Sequence, residues 1–169
     1  MFDIDKYKDC RAGMRSADML EFSSRSIIGG IIRYKTGYDV NHSAFIFRCD
    51  EYDRIFTLEA LSLGIDIHIL STRLKEFDGS VYWYPLKQEY DKYRYDIMHW
   101  ALNQIDKKYD YPSLFANIVS KVNVDSRLYF CSEYVQAGYK KPGMIKTEKA
   151  IVPGGFAKYN LHYNRIKIL

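Results

Sequence analysis

The stretch that most constrains the fold runs from His42 to Ala60. His42-Ser43-Ala44-Phe45-Ile46-Phe47-Arg48 and Arg54-Ile55-Phe56-Thr57-Leu58-Glu59-Ala60 are rich in β-branched and aromatic residues. Between them Asp50-Glu51-Tyr52-Asp53 is short and acidic, so the pair predicts a strand-turn-strand hairpin. Centring the turn on Glu51-Tyr52 sets 47 opposite 56, 45 opposite 58 and 42 opposite 61. Opposed residues share a face, as do alternate residues along a strand. His42 and Ala44 then share a face with Glu59 and Leu61, and His42 becomes a diagonal neighbour of Glu59. A one-residue slip would separate them. Glu59 in an otherwise apolar strand is costly unless paired, which argues against a purely structural role.

Around the hairpin the chain reads as one domain over 17–169, preceded by a short charged leader over 1–16 that could be helical. Ala17 to Phe22 has a turn-like start and then alternates as a first strand. Ser26 to Tyr34 carries Gly29-Gly30 and reads as a short helix. No G-x-x-x-x-G-K-[ST] pattern makes those glycines a phosphate loop. Gly64 to Leu70 is a third strand with Asp66 and His68 on its solvent side, and Ser80 to Leu86 a fourth, ended by Pro85. Asp91 to Lys108 predicts an amphipathic helix burying Tyr93, Ile97, Met98, Ala101, Leu102 and Ile105, with His99 beside that stripe. Pro112 opens the next segment, Leu114 to Val119 reads as a short buried helix, and Tyr163 to Leu169 alternates as a last strand.

A length of 169 residues suits one core. The net charge of +4 is spread out, without a basic block or a repeat of aromatics between lysines, so no nucleic-acid partner is expected. The 16 tyrosines fit the codon bias of an AT-rich genome better than a dedicated binding surface. Met1-Phe2-Asp3-Ile4-Asp5 starts no secretory signal and no window could span a membrane, so the expectation is a cytoplasmic protein. A phage- or virus-encoded product would carry the same features. Cys10, Cys49 and Cys131 form no C-x-x-C pair and no Cys/His cluster, which speaks against structural zinc or a disulfide framework and for one reactive cysteine.

That cysteine is Cys131. Leu128-Tyr129-Phe130 is an apolar approach, and Ser132 and Glu133 suit a helix's first turn, where free N–H groups and the positive dipole end lie. Tyr134, Val135, Gly138 and Tyr139 follow at helical spacing. A thiol at a helix start has its thiolate favoured, below a free value of about 8.5, and the same N–H groups can hold an oxyanion. Nucleophilic cysteine chemistry also needs a base and a group that orients the base. His42 is the candidate base and Glu59 the candidate orienting acid. His68 and His99 read as surface or structural residues.

The blocks Ala17-Asp18-Met19-Leu20-x-Phe22, Asn41-His42-Ser43-Ala44, Leu58-Glu59-Ala60 with Gly64, Tyr109-Asp110-Tyr111-Pro112 and Phe130-Cys131-Ser132-Glu133-Tyr134-Val135 keep this order along the chain. Together, from about residue 16 to Pro153, they resemble the circularly permuted NlpC-type papain-like hydrolases. The nearest branch is the YiiX/YebB-like group, with the lecithin:retinol acyltransferases as more distant relatives. The resemblance implies an α+β, permuted papain-like domain: a central antiparallel, largely meandering sheet with the catalytic cysteine helix packed against it. It implies a triad of Cys131, His42 and Glu59, and a tyrosine near the oxyanion site, for which Tyr109 and Tyr111 are both candidates. Ser132 belongs to the same oxyanion and substrate-binding region, more as a helix-start residue than as a reactant. Ala17 and Asn41 stand where the family often has glycine and serine. The expected activity is a cysteine hydrolase of amidase or peptidase type, working on an amide or ester without a metal or organic cofactor. Its partner would be a small-molecule, peptide or lipid-acyl substrate. Lipid acyl hydrolysis or transfer, and a ligand-binding module that has lost turnover, are the alternatives.

Overall fold

A computed structural model describes residues 5–61, 64–105 and 130–169, with Phe130 through its backbone alone. The strands are β1 (Met19–Ser24), β2 (His42–Cys49), β3 (Arg54–Leu61), β4 (Gly64–Ile69), β5 (Gly79–Tyr84) and β6 (Ile166–Lys167). The helices are α1 (Asp5–Cys10), α2 (Ile27–Thr36), α3 (Leu70–Glu76), α4 (Arg94–Leu102) and α5 (Phe130–Lys140). Among the described residues the strands form one antiparallel sheet in the order β4-β3-β2-β1-β5-β6. The fold is α+β. The first four strands meander, and β5 returns to the open side of β1.

The hairpin has the register that alternation predicts: Phe47 opposes Phe56, Phe45 opposes Leu58 and Ala44 opposes Glu59. The acidic turn is a single 3-10 turn over Asp50–Tyr52. With that register each sheet face has its own apolar set. Met19, Phe45, Leu58, Ala60 and Tyr84 pack with Val135 and Tyr139 of α5 and Ile97 and Ala101 of α4. On the other face Leu20, Phe22, Ala44, Ile46, Val81 and Trp83 pack with Leu70 and Leu74 of α3. The helix α5 lies against β2 and β3 so closely that a Cβ at Gly138 would stand 2.7 Å from the Phe45 ring. Glycine is what allows that approach.

Several elements differ from what local pattern predicts. The first strand begins at Met19 rather than Ala17, because Ala17 has φ 68 and turns the chain before pairing starts. A left-handed backbone is one that glycine adopts more readily than alanine. The third strand stops at Ile69, since Leu70 and Leu74 open a seven-residue helix, too short to leave a periodic signal. The helix predicted over Asp91 to Lys108 is a 3-10 segment over Gln88–Tyr93 followed by α4, which ends at Leu102; of its stripe Ile97, Met98 and Ala101 are buried, and Tyr93, Leu102 and Ile105 are partly buried. In the N-terminal segment read as a leader, Tyr7 and Met14 are buried in the α3-side layer. The helix read at 114–119 lies outside the described residues.

The turn at Ala17 delivers Asp18 into the interior. Its carboxylate accepts from Trp83 Nε1 (2.9 Å), the Leu86 N–H (3.0 Å) and Arg94 Nη1 (2.8 Å). Arg94 also donates to the Ser16 and Leu86 carbonyls, so one ion pair joins the start of β1, the end of β5 and α4. Breaking a buried pair leaves an uncompensated charge, at a cost of roughly 3–5 kcal/mol. By contrast, an ion pair between exposed side chains, such as Arg25 with Asp78, is worth about 0–1 kcal/mol. Urea denaturation of Arg94→Met and Arg25→Ala should therefore show a loss of several kcal/mol for the first and little change for the second.

Candidate active site

His42 is the first residue of β2 and pairs with Phe22 of β1. Its ring lies 5.3 Å from that of Phe22, and Nε2 is 2.9 Å from Glu59 Oε2. Glu59 is fully buried, with 0% of its side chain exposed. It reaches His42 because β3 is in register with β2, as the hairpin alternation requires. A second cation also holds it. Arg73, from α3, donates through Nε to Oε1 (2.9 Å) and through Nη2 to Oε2 (3.2 Å). The Arg73 guanidinium carbon lies 5.3 Å and 5.1 Å from the ring centres of Phe22 and Phe77.

Cys131 approaches from the opposite layer. It is a buried free thiol in the first turn of α5, packed within the cluster that holds Phe45 and Val135. The thiol stands close enough to the His42 imidazole for the two to be coupled electrostatically. The imidazole therefore bridges the two layers, with Glu59 on one nitrogen and Cys131 on its other side. An ionised carboxylate only accepts, so Nε2 carries a proton toward Glu59. Nδ1 is not engaged by Glu59.

Charge follows from these contacts. Burial pushes Glu59 up, but the His42 and Arg73 contacts outweigh it and hold the carboxyl at about 2. Burial likewise pushes His42 down, and Cys131 and Glu59 outweigh that and raise the imidazole to about 10. Against the ordinary value of 6.5, the raised His42 contributes stability below pH 6.5 that is lost as pH rises through 10. Glu59, lowered from 4.5, contributes stability above pH 4.5 that is lost as pH falls through 2.

The other candidate residues fall as follows. Ser132 is fully buried in the first turn of α5. Tyr109 and Tyr111 lie outside the described residues. His68 pairs with Asp66 on β4 (3.3 Å), both partly exposed, and His99 is exposed and stacks on Tyr95. Cys10 and Cys49 are half-buried free thiols on other elements.

Sequence reasoning missed Arg73, because nothing in a linear pattern places a short helix beside β3. It also missed Glu21, for which the signal was present: a glutamate between Leu20 and Phe22, as costly to bury as Glu59. Glu21 is buried and accepts from the Gly154 N–H (2.7 Å) and Ser43 Oγ (3.4 Å). Burial raises it to about 7, against the pull of those bonds. Burial also raises Glu133, two residues after Cys131, to about 7.

No family model matches the chain, and no curated protein matches it. Among solved structures it is similar to the metalloprotein YiiX of Escherichia coli O157:H7, with a TM-score of 0.58 and 18% identity, over 80% of this chain and 69% of that one. The likeness is one of fold, a YiiX-like α+β arrangement. That protein is a metalloprotein, and the described donors of this site do not form a metal-binding set. Both Glu59 oxygens are engaged, with an arginine cation on them. Among the described residues no group of three or more His, Cys, Asp or Glu side chains is placed to hold a metal ion.

The histidines offer a direct check. Burial and the Arg94 and Lys87 cations lower His162 to about 3, and its Nε2 lies 2.9 Å from the Tyr139 hydroxyl. In a nitrogen-15 NMR titration His42 should stay an imidazolium up to about pH 10 while His162 stays neutral down to about pH 3. Glu59→Gln should move the His42 titration downward, by about one unit or more.

Proposed function

We propose that the protein is a cysteine hydrolase of amidase or peptidase type, on a permuted papain-like version of this fold. One observation carries the reading: a single imidazole is held between a buried carboxylate and a thiol at a helix start. The Cys131 thiolate attacks the carbonyl carbon of an amide or ester, and the carbonyl electrons move onto oxygen. N–H groups at the start of α5 face that developing charge. The tetrahedral intermediate collapses, His42 passes its proton to the departing amine or alcohol, and an acyl-thioester remains on Cys131. His42, now neutral at Nδ1, takes a proton from the attacking water; hydroxide adds to the thioester carbonyl, and collapse releases the acid and returns the Cys131 thiolate beside the His42 imidazolium. Glu59 keeps Nε2–H in place and supports the imidazolium at each step. Tyr109 or Tyr111 would add a hydroxyl at the oxyanion.

A second reading, hydrolysis or transfer of lipid acyl groups, is favoured by the surface of α2. Ile27 and Tyr34 are 84% and 89% exposed, Ile28 and Ile31 are also exposed, and the helix leads into the strand that begins with His42. Acyl transfer would use the same thioester with an acceptor other than water.

The test is alkylation of the folded protein by iodoacetamide at pH 6, read for each cysteine by mass spectrometry. Cys131 should react at least about tenfold faster than Cys10 and Cys49, and His42→Ala should remove that advantage. Nitrophenyl acetate should then leave an acetyl group on Cys131 that His42→Ala cannot release. If Cys131 is no faster than the other two cysteines, the hydrolase reading falls and a ligand-binding module takes its place. If long-chain esters are turned over only above their micelle threshold, the lipid reading is preferred to the amidase one.

A further inference from the structure

The feature that the triad does not account for is the cation on its acid. In a minimal triad Glu59 would need only the imidazole, yet Arg73 grips both carboxylate oxygens and shares Oε2 with His42 Nε2. The guanidinium is itself fixed, lying over the faces of Phe22 and Phe77 with 23% of the side chain exposed. Phe22 also touches the His42 ring. One aromatic residue therefore contacts the base and the cation that holds the base's acid.

We propose that Arg73 is a positioning residue of the site, holding Glu59 turned toward His42 and opposing the imidazolium with a fixed positive charge. The proposal rests on the hydrolase reading above and adds a part to it. Two opposite needs explain why such a part is useful. Attack requires a thiolate beside an imidazolium, whereas release of the acyl group requires a neutral imidazole to take a proton from water. A buried glutamate with no partner except His42 would hold the imidazolium too strongly for the second step, because deprotonation would strand a lone charge. With Arg73 in place Glu59 remains compensated in both states, and the proton can move.

The charged groups around the pair are few among the described residues. Arg73 comes from α3, Cys131 and the half-buried Glu133 from α5, and Asp66 and His68 from β4, where Asp66 is the cross-strand partner of Glu59. Asp66 and His68 face solvent in part and pair with each other, so Arg73 is the cation in direct contact with Glu59. Glu21 is on β1 and is tied to Gly154 and Ser43.

The experiment is the pH profile of Cys131 alkylation in the wild type, Arg73→Met and Arg73→Lys, with Cys10 and Cys49 as internal references. In the wild type the rate should rise on an acid limb as the thiolate forms and change again on an alkaline limb as His42 loses its proton. Methionine keeps an apolar stem over the two rings and removes the charge. Losing a fixed cation disfavours the thiolate and favours the imidazolium, so both limbs should move up, by about one pH unit. Lysine keeps the charge but cannot hold both oxygens, so the limbs should stay near wild type while the rate falls several-fold. A merely structural arginine would lower rate or stability without moving either limb, and that result in Arg73→Met would overturn the proposal with the nucleophile intact. If Arg73→Met does not fold, Arg73→Lys decides, and a wild-type rate and profile would overturn it. A wild-type Cys131 with no advantage over Cys10 and Cys49 would remove the hydrolase reading first, and the proposal with it.

Discussion

A carboxylate buried to 0% exposure is the constraint on which the rest of this site depends. Glu59 can stay ionised in the core only if its neighbours supply compensating charge and hydrogen bonds. Those neighbours come from separate parts of the chain: His42 from β2 and Arg73 from α3. Meeting the requirement aligns two strands and one helix. It also fixes the imidazole, with Nε2 committed to Glu59 and Cys131 close enough to couple to the ring. Under the proposed hydrolase reading, a demand of stability and a demand of chemistry are met by the same contacts.

The sheet turns that local demand into a site between layers. Alternation along β2 and β3 puts Ala44 and Glu59 on one face and Phe45 and Leu58 on the other. The cysteine helix packs on the Phe45 side, with Gly138 allowing the close approach. A residue inside a strand has its side chain committed to one face, whereas one at the strand's start can reach toward both. His42 is at that start.

Two further buried carboxylates show how one physical rule gives different outcomes. Asp18 has Arg94, an indole N–H and a backbone N–H, and serves as a joint between β1, β5 and α4. Glu21 has a backbone N–H and the Ser43 hydroxyl, with Tyr84 beside it, but no cation in direct contact, and burial leaves it raised to about 7. Glu59, with two cationic partners, is held at about 2. Partner charge, more than burial, separates Glu21 from Glu59.

How much of this was legible in the sequence follows from the range of each interaction. The hairpin, its register and the diagonal meeting of His42 with Glu59 were readable, because side-chain alternation and a short turn are local and a one-residue slip would bury the wrong face. The helix after Phe130 was readable from polar first-turn residues and the apolar spacing that follows. The strand boundary at Met19 was missed because the left-handed turn at Ala17 is imposed by what Asp18 reaches, across about 76 residues, in Arg94. Arg73 was missed for the same reason, since α3 carries no amphipathic signal of its own and only packing against β3 gives its arginine a meaning. The sequence by itself determined which residue types could do chemistry and which face of each strand they occupy, since those depend on neighbours a few positions away. Only the tertiary structure decided which cation steadies the acid and where the cysteine's layer meets the histidine's, because both are contacts between segments that sequence spacing does not relate.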